Sequence, residues 1–154
     1  MRTFKSNTLN SKRKLGVVLI DNQPLFRIGL SLVLAKSGFY EVSLELDDYV
    51  FDYEQIAWIN PDIIIMDIMP GKQSPFDFIR WCCDKFPEVP ILVLTMMDEQ
   101  TYAERTLKAG AAGYIMKNSD GEKILEAVKK IARNELYVSD NISSLILIKY
   151  VGGI

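Results

Sequence analysis

A chain of 154 residues that is 49% hydrophobic and 25% charged holds one ordinary domain with a real core and is too short for two comfortable ones. Its formal net charge of -2 gives no global attraction to nucleic acid phosphates, so this chain alone is expected to bind no nucleic acid. With no histidine, and with two cysteines that are adjacent (Cys82, Cys83), the common zinc sites and an ordinary structural disulfide are excluded, and any metal must be held by oxygens.

Residues 1–14 carry Arg2, Lys5, Lys12, Arg13 and Lys14 and no acid, which reads as a flexible basic arm outside the core. The arm has no apolar core of an export signal, and no run approaches the roughly 18 apolar residues of a membrane span, so a cytoplasmic protein without membrane contact is expected. "LGVVLID" is a short apolar strand ending in acid. "PLFRIGLSLVLAKSG" follows as a helix, with Leu25, Ile28 and Leu32 at helical spacing, Pro24 in the first turn and Gly38 as a stop. "YEVSLEL" alternates like a half-buried strand, and "DYVFDYEQIAWIN" is a weaker helix. "PDIIIMD" is a second continuous apolar strand. Phe76, Ile79, Cys83 and Phe86 then mark a helical stripe closed by Pro87 and Pro90. "ILVLT" is a third apolar strand, "EQTYAERTLKAGAAG" a helix with small apolar residues, and "GYIMK" a last short strand. "SDGEKILEAVKKIARNE" reads as a helix that opens with Ser119 and Glu122 in capping-box register and buries Ile124, Val128 and Ile131. Residues 139–154, "SDNISSLILIKYVGGI", form an apolar linker or an extra helix.

Strict alternation of strands and helices, with inner strands apolar throughout, implies a five-stranded parallel α/β sheet covered on both faces. In such a doubly wound sheet the ligand crevice lies at the carboxyl ends of the strands. Those ends carry Asp21-Asn22, Asp67, Thr95 and Lys117. Each alone could be a cap or turn residue. Four strand ends that together deliver two carboxylates, an amide, a hydroxyl and an ammonium are hard to obtain from turn chemistry.

In order and spacing, "VLIDNQPLFRIGL", "IIIMDIMPG", "ILVLTMMDE" and "AGAAGYIMKNS" resemble the receiver domain of bacterial two-component response regulators. The nearest branch is the NarL/FixJ type, in which a receiver precedes a LuxR-like helix-turn-helix. The resemblance covers residues 15–138 and implies a flavodoxin-like (CheY-like) sheet of order 2-1-3-4-5. It also implies Asp67 as phosphoacceptor and Mg2+ held by Asp21, Asn22, Asp67 and the main-chain carbonyl of Met69. Thr95 and Lys117 would bind the phosphoryl group, with Thr95 and Tyr114 as the switch; an isolated tyrosine could equally sit half buried with its hydroxyl in water.

The chemistry stands without the name. A carboxylate attacks phosphorus only once its own charge and that of the phosphoryl group are neutralised, the task of an oxygen-held magnesium and a lysine. The expected function is a phosphorylation-controlled regulator, not an enzyme, that accepts a phosphoryl group from a sensor histidine kinase. It would control transcription through an output domain absent from this chain. Self-association, if it occurs, would use a receiver face with the apolar tail.

The alternative is a receiver-like interaction module with weak or no phosphorylation. Three departures from the family pattern favour it: Asn22 in place of a second acid, Met-Pro-Gly two residues after Asp67 instead of three, and Pro75 where receivers usually carry glycine. A haloacid dehalogenase-type hydrolase would want an aspartate at the position of Met69. A nucleotide- or flavin-binding domain would want glycines in "DNQPLF".

Overall fold

The computed structural model describes residues 13–49, 53–69 and 74–152. The expected basic arm lies almost wholly outside the described residues, as does the loop containing Pro70 and Gly71. Among the described residues ten elements alternate and a further helix follows: β1 (Leu15–Ile20), α1 (Pro24–Lys36), β2 (Tyr40–Leu46), α2 (Tyr53–Ile59), β3 (Ile63–Met66), α3 (Pro75–Lys85), β4 (Ile91–Thr95), α4 (Glu99–Ala109), β5 (Gly113–Met116), α5 (Gly121–Ala132) and α6 (Asp140–Val151). The strands form one parallel sheet in the order β2-β1-β3-β4-β5.

Side-chain alternation along the central strands divides the core in two. Val18, Ile20, Ile64, Met66, Ile91 and Val93 face a layer that includes Ile56 of α2, Ile79 of α3, Ala103 of α4 and Ile142 of α6. Val17, Leu19, Ile63, Ile65, Leu92 and Leu94 face α1 and α5 through Leu30, Leu34, Ile124, Val128 and Ile131. Strands β3 and β4 are buried on both faces, which is why they read as unbroken apolar runs. Edge strand β2 keeps Glu41, Ser43 and Glu45 outward, which gives its alternation.

Three local expectations change. The stripe of Leu25, Ile28 and Leu32 on α1 faces solvent, at 84%, 57% and 63% exposure, while Leu30 and Leu34 point to the sheet. Helix α1 is apolar on most sides, so two rows satisfy helical spacing, and only its seating on the sheet chooses between them. On α3 the buried row runs through Phe76, Phe78, Ile79 and Cys82. Cys83 lies at its margin and donates to the Gly110 carbonyl over 3.4 Å. Both thiols are free, and burial pushes Cys82 up to about 12. Finally, α5 is capped by Asp120 rather than Ser119: the Asp120 carboxylate accepts from the Lys123 N–H at 2.8 Å.

Ser139 caps α6, whose Ile142 enters the core beside α4. Lys149 of α6 donates to both carboxylate oxygens of Glu104 on α4, at 2.8 and 3.1 Å. No helix among the described residues is long and apolar enough to cross a membrane.

Candidate phosphoacceptor site

Parallel pairing places Asp21, Asp67 and Lys117 one step beyond β1, β3 and β5, and Thr95 at the last position of β4. The Asp21 N–H donates to the Leu46 carbonyl at 2.9 Å, the Asp67 N–H to Ile20 at 2.9 Å, and the Lys117 N–H to Thr95 at 2.8 Å. These three bonds continue the sheet ladder to its carboxyl rim, so the side chains there inherit the rigidity of the sheet. Asp21, Asp67, Thr95 and Lys117 are all buried.

The Lys117 ammonium is the centre of the rim. It lies 2.7 Å from Asp21 Oδ2 and 2.8 Å from Asp67 Oδ2, and donates to Gln23 Oε1 at 2.5 Å. Three acceptors match the three donors of an ammonium group. The Phe26 ring flanks it, with its centroid 4.4 Å from Nζ. Asp21 is held on its other side as well, since Oδ1 accepts from the Gln23 N–H at 2.7 Å. The Arg27 guanidinium donates to the Asp21 carbonyl oxygen. Asp67 differs. Its Oδ1 is the buried side-chain oxygen that, among the described residues, has no hydrogen-bond partner. A buried carboxylate oxygen left unsatisfied is costly unless a ligand completes it.

Thr95 Oγ1 accepts from the Met97 N–H at 3.2 Å. The Tyr114 hydroxyl donates to the carbonyl of the same residue, Met97, at 2.6 Å. One residue of the β4–α4 connection is therefore bonded to both members of the expected switch. Tyr114 is fully buried, so the alternative of a half-buried tyrosine with a wet hydroxyl does not hold. Burial pushes its phenol well above the usual range, and the nearby charges of Asp98 and Glu99 add to the shift.

The donor set fits a hard cation of the magnesium type. Asp21, Asp67 and the Met69 carbonyl are oxygens, and Asn22 offers another on the same rim. Asn22 is exposed and stands beside the buried acids instead of among them. Because it supplies no third acid, no group of three Asp, Glu, Cys or His side chains assembles here among the described residues.

Gln23, Phe26, Arg27, Tyr49 and Met97 were not singled out from sequence. Gln23, Phe26 and Arg27 follow Asp21 closely enough for the turn to have suggested them. Tyr49, between β2 and α2, carries no local signal at all. Its hydroxyl donates to the Met69 carbonyl at 2.8 Å, and burial raises its phenol against the lowering effect of that bond.

A doubly wound five-stranded sheet with an acid–lysine crevice at its carboxyl rim defines a flavodoxin-like α/β domain built to handle a charged group. The pattern of the response regulator receiver domain matches residues 17–129, and the chain belongs to that family. It is 32% identical over 140 residues to the transcriptional regulatory protein DegU of Brevibacillus brevis, covering 91% of this chain and 59% of the relative. The chain thus spans about three fifths of the length of the curated relatives it matches, 59% and 63% for two of them. A two-component response regulator of the LuxR family from Aurantimonas sp. superposes with a TM-score of 0.80 at 25% identity, over 90% of this chain and 99% of that one. The signal receiver domain of NarL from Mycobacterium tuberculosis gives a TM-score of 0.71 at 31% identity, over 79% and 98%. These matches agree with the NarL/FixJ branch and with a role in phosphorylation-dependent signalling.

Proposed function

We propose that this chain is a phosphoacceptor switch that takes a phosphoryl group from a sensor histidine kinase onto Asp67. The observation that carries the proposal is the asymmetry of Asp67: Oδ2 is held by Lys117 while Oδ1, buried in the crevice, has no partner among the described residues. Oδ1 is the atom free to form a bond to phosphorus. As that bond forms, the phosphorus–nitrogen bond to the kinase's phosphohistidine breaks, and the imidazole leaves with the electron pair. Lys117, already seated between the two carboxylates, turns its charge to the phosphoryl oxygens. Asp21, the Asp67 carboxylate, the Met69 carbonyl and the Asn22 amide oxygen would hold Mg2+. When bound, the ion supplies positive charge against the phosphoryl group.

The phosphoryl group then offers acceptors to the Thr95 hydroxyl. Thr95 leaves its bond with the Met97 N–H, and the Met97 peptide passes the change to Tyr114 and the start of α4. The chain acts as a regulator rather than an enzyme on exogenous substrates, and it works in the cytoplasm. Residues 15–138 make up the receiver and 1–14 the arm, and within 139–154 the extra helix α6 packs against α4. In the full protein the output is transcriptional, in line with the printed role of the DegU relative.

Intact mass after incubation with magnesium and a small phosphodonor tests the proposal. A single phosphoryl adduct, absent from Asp67→Ala, is the expected result. No adduct on the wild type, or the same adduct on the variant, rejects Asp67 as the acceptor.

A further inference from the structure

The Met69 carbonyl is the one metal donor proposed here that comes from the main chain. A main-chain donor is only as well aimed as the segment that carries it. Tyr49 reaches that carbonyl from a different part of the chain, through a buried 2.8 Å hydrogen bond spanning 20 positions in sequence. The tyrosine is itself buried, and its ring stacks on Phe78 of α3, with centroids 5.3 Å apart and planes at 29°. Phe78 stacks in turn on Trp81 at 6.2 Å, and Trp81 meets Phe86 edge-on at 5.7 Å. The hydroxyl therefore rides on a ring that cannot pivot without disturbing an aromatic row along α3. A carbonyl oxygen has two acceptor directions, so this bond leaves one for a cation.

We infer that Tyr49 is a positioning residue of the metal site, whose hydroxyl holds the Met69 carbonyl in place for the ion. The inference rests on the phosphoacceptor reading above and deepens it. With Asn22 neutral, the site attracts a divalent ion with less charge than three carboxylates would supply, so correct placement of the neutral donors counts for more. Magnesium demands near-ideal octahedral geometry at short distances, whereas calcium accepts more oxygens in looser arrangements. A carbonyl released to swing therefore costs magnesium more than calcium.

Tyr49→Phe keeps the stacked ring and removes only the hydroxyl. Magnesium and calcium are titrated separately into metal-free wild type and variant, following the fluorescence of Trp81. Both proteins carry Trp58→Phe, so that Trp81 alone reports; Trp58 is 87% exposed. Backbone amide shifts provide the second readout, and Asp67→Ala defines binding outside the site. The expected result is magnesium binding weakened about three- to tenfold, the worth of one neutral hydrogen bond, with calcium affected less. A modest loss of thermal stability in the metal-free variant fits a structural role too, so the magnesium-to-calcium ratio is the deciding quantity. If the wild type binds magnesium and Tyr49→Phe matches it within twofold, or if both ions weaken equally, the inference fails alone. If the wild type binds no magnesium at millimolar concentration, the phosphoacceptor reading fails and takes the inference with it.

Discussion

Replacing Lys117 by methionine keeps most of the side-chain volume and removes the cation that touches both buried carboxylates. The rim holds two carboxylates, Asp21 and Asp67, against one ammonium, with the Lys117 side chain 3% exposed and that of Asp21 2% exposed. At separations of 2.7 and 2.8 Å each contact is worth about 6 kcal/mol of Coulomb attraction at an effective dielectric of about 20. Desolvation of the three charges offsets much of this, and removing one partner from a buried pair typically costs about 3–5 kcal/mol. Lys117→Met is therefore expected to lose about 3–5 kcal/mol, a large share of the stability of an ordinary domain. Asp67→Asn should behave in the opposite way, because it leaves Lys117 paired with Asp21 and removes a like-charge neighbour. Its cost should stay within about 1 kcal/mol of wild type. Urea unfolding at pH 7 without metal measures both. Added magnesium should narrow the deficit of Lys117→Met, since a cation that binds only the folded form stabilises it. A Lys117→Met variant within about 1 kcal/mol of wild type, or an Asp67→Asn variant as unstable as Lys117→Met, refutes this account of the rim.

Asn22→Asp supplies the third carboxylate, and magnesium titration should show affinity raised about tenfold, near 1.4 kcal/mol; an unchanged affinity would mean that Asn22 is not a donor. Tyr114→Phe removes the 2.6 Å bond to the Met97 carbonyl and should cost about 1 kcal/mol in urea unfolding. The variant should also uncouple phosphodonor-induced amide shifts of α4 from phosphorylation of Asp67. Gly110 has φ of 121° and its missing Cβ would stand 2.6 Å from Cys83 Sγ, so Gly110→Ala should lower the melting temperature clearly. The Lys149 hydrogen bond holds the Glu104 carboxyl below its ordinary 4.5, so its stabilising effect is present above that value and lost as pH falls through the lowered one. Lys149 is raised above its ordinary 10.5 by the same bond, so its share is lost only as pH rises past the raised value. Protection factors of the α6 amides, taken against the intrinsic exchange rate at each pH, should therefore fall at both acid and alkaline extremes while those of α5 hold.

Strand type and order of elements were legible because they depend on local pattern. Unbroken apolar runs such as Ile63–Met66 occur where both faces of a strand are covered, and the alternation of Tyr40–Leu46 marks an edge. Reading the strand ends together also found Asp21, Asp67, Thr95 and Lys117, because a parallel sheet brings every carboxyl end to one rim whatever the details of its loops. Which side of α1 faces the sheet was not legible, since an apolar helix offers more than one row at the same spacing. The one-residue error at the cap of α5 has a similar origin: Ser119 and Asp120 are both good caps, and the path of the incoming chain selects Asp120. Contacts across long sequence separations belong to the tertiary structure alone. Lys117 reaches Gln23 across 94 positions, and Tyr49 reaches Met69 from a segment with no motif. Periodicity and turn chemistry depend on neighbours in the chain and so survive in one dimension. The partner of a hydroxyl or an ammonium is set by which rims and helices packing brings within 3 Å, a fact that exists only once the sheet has formed.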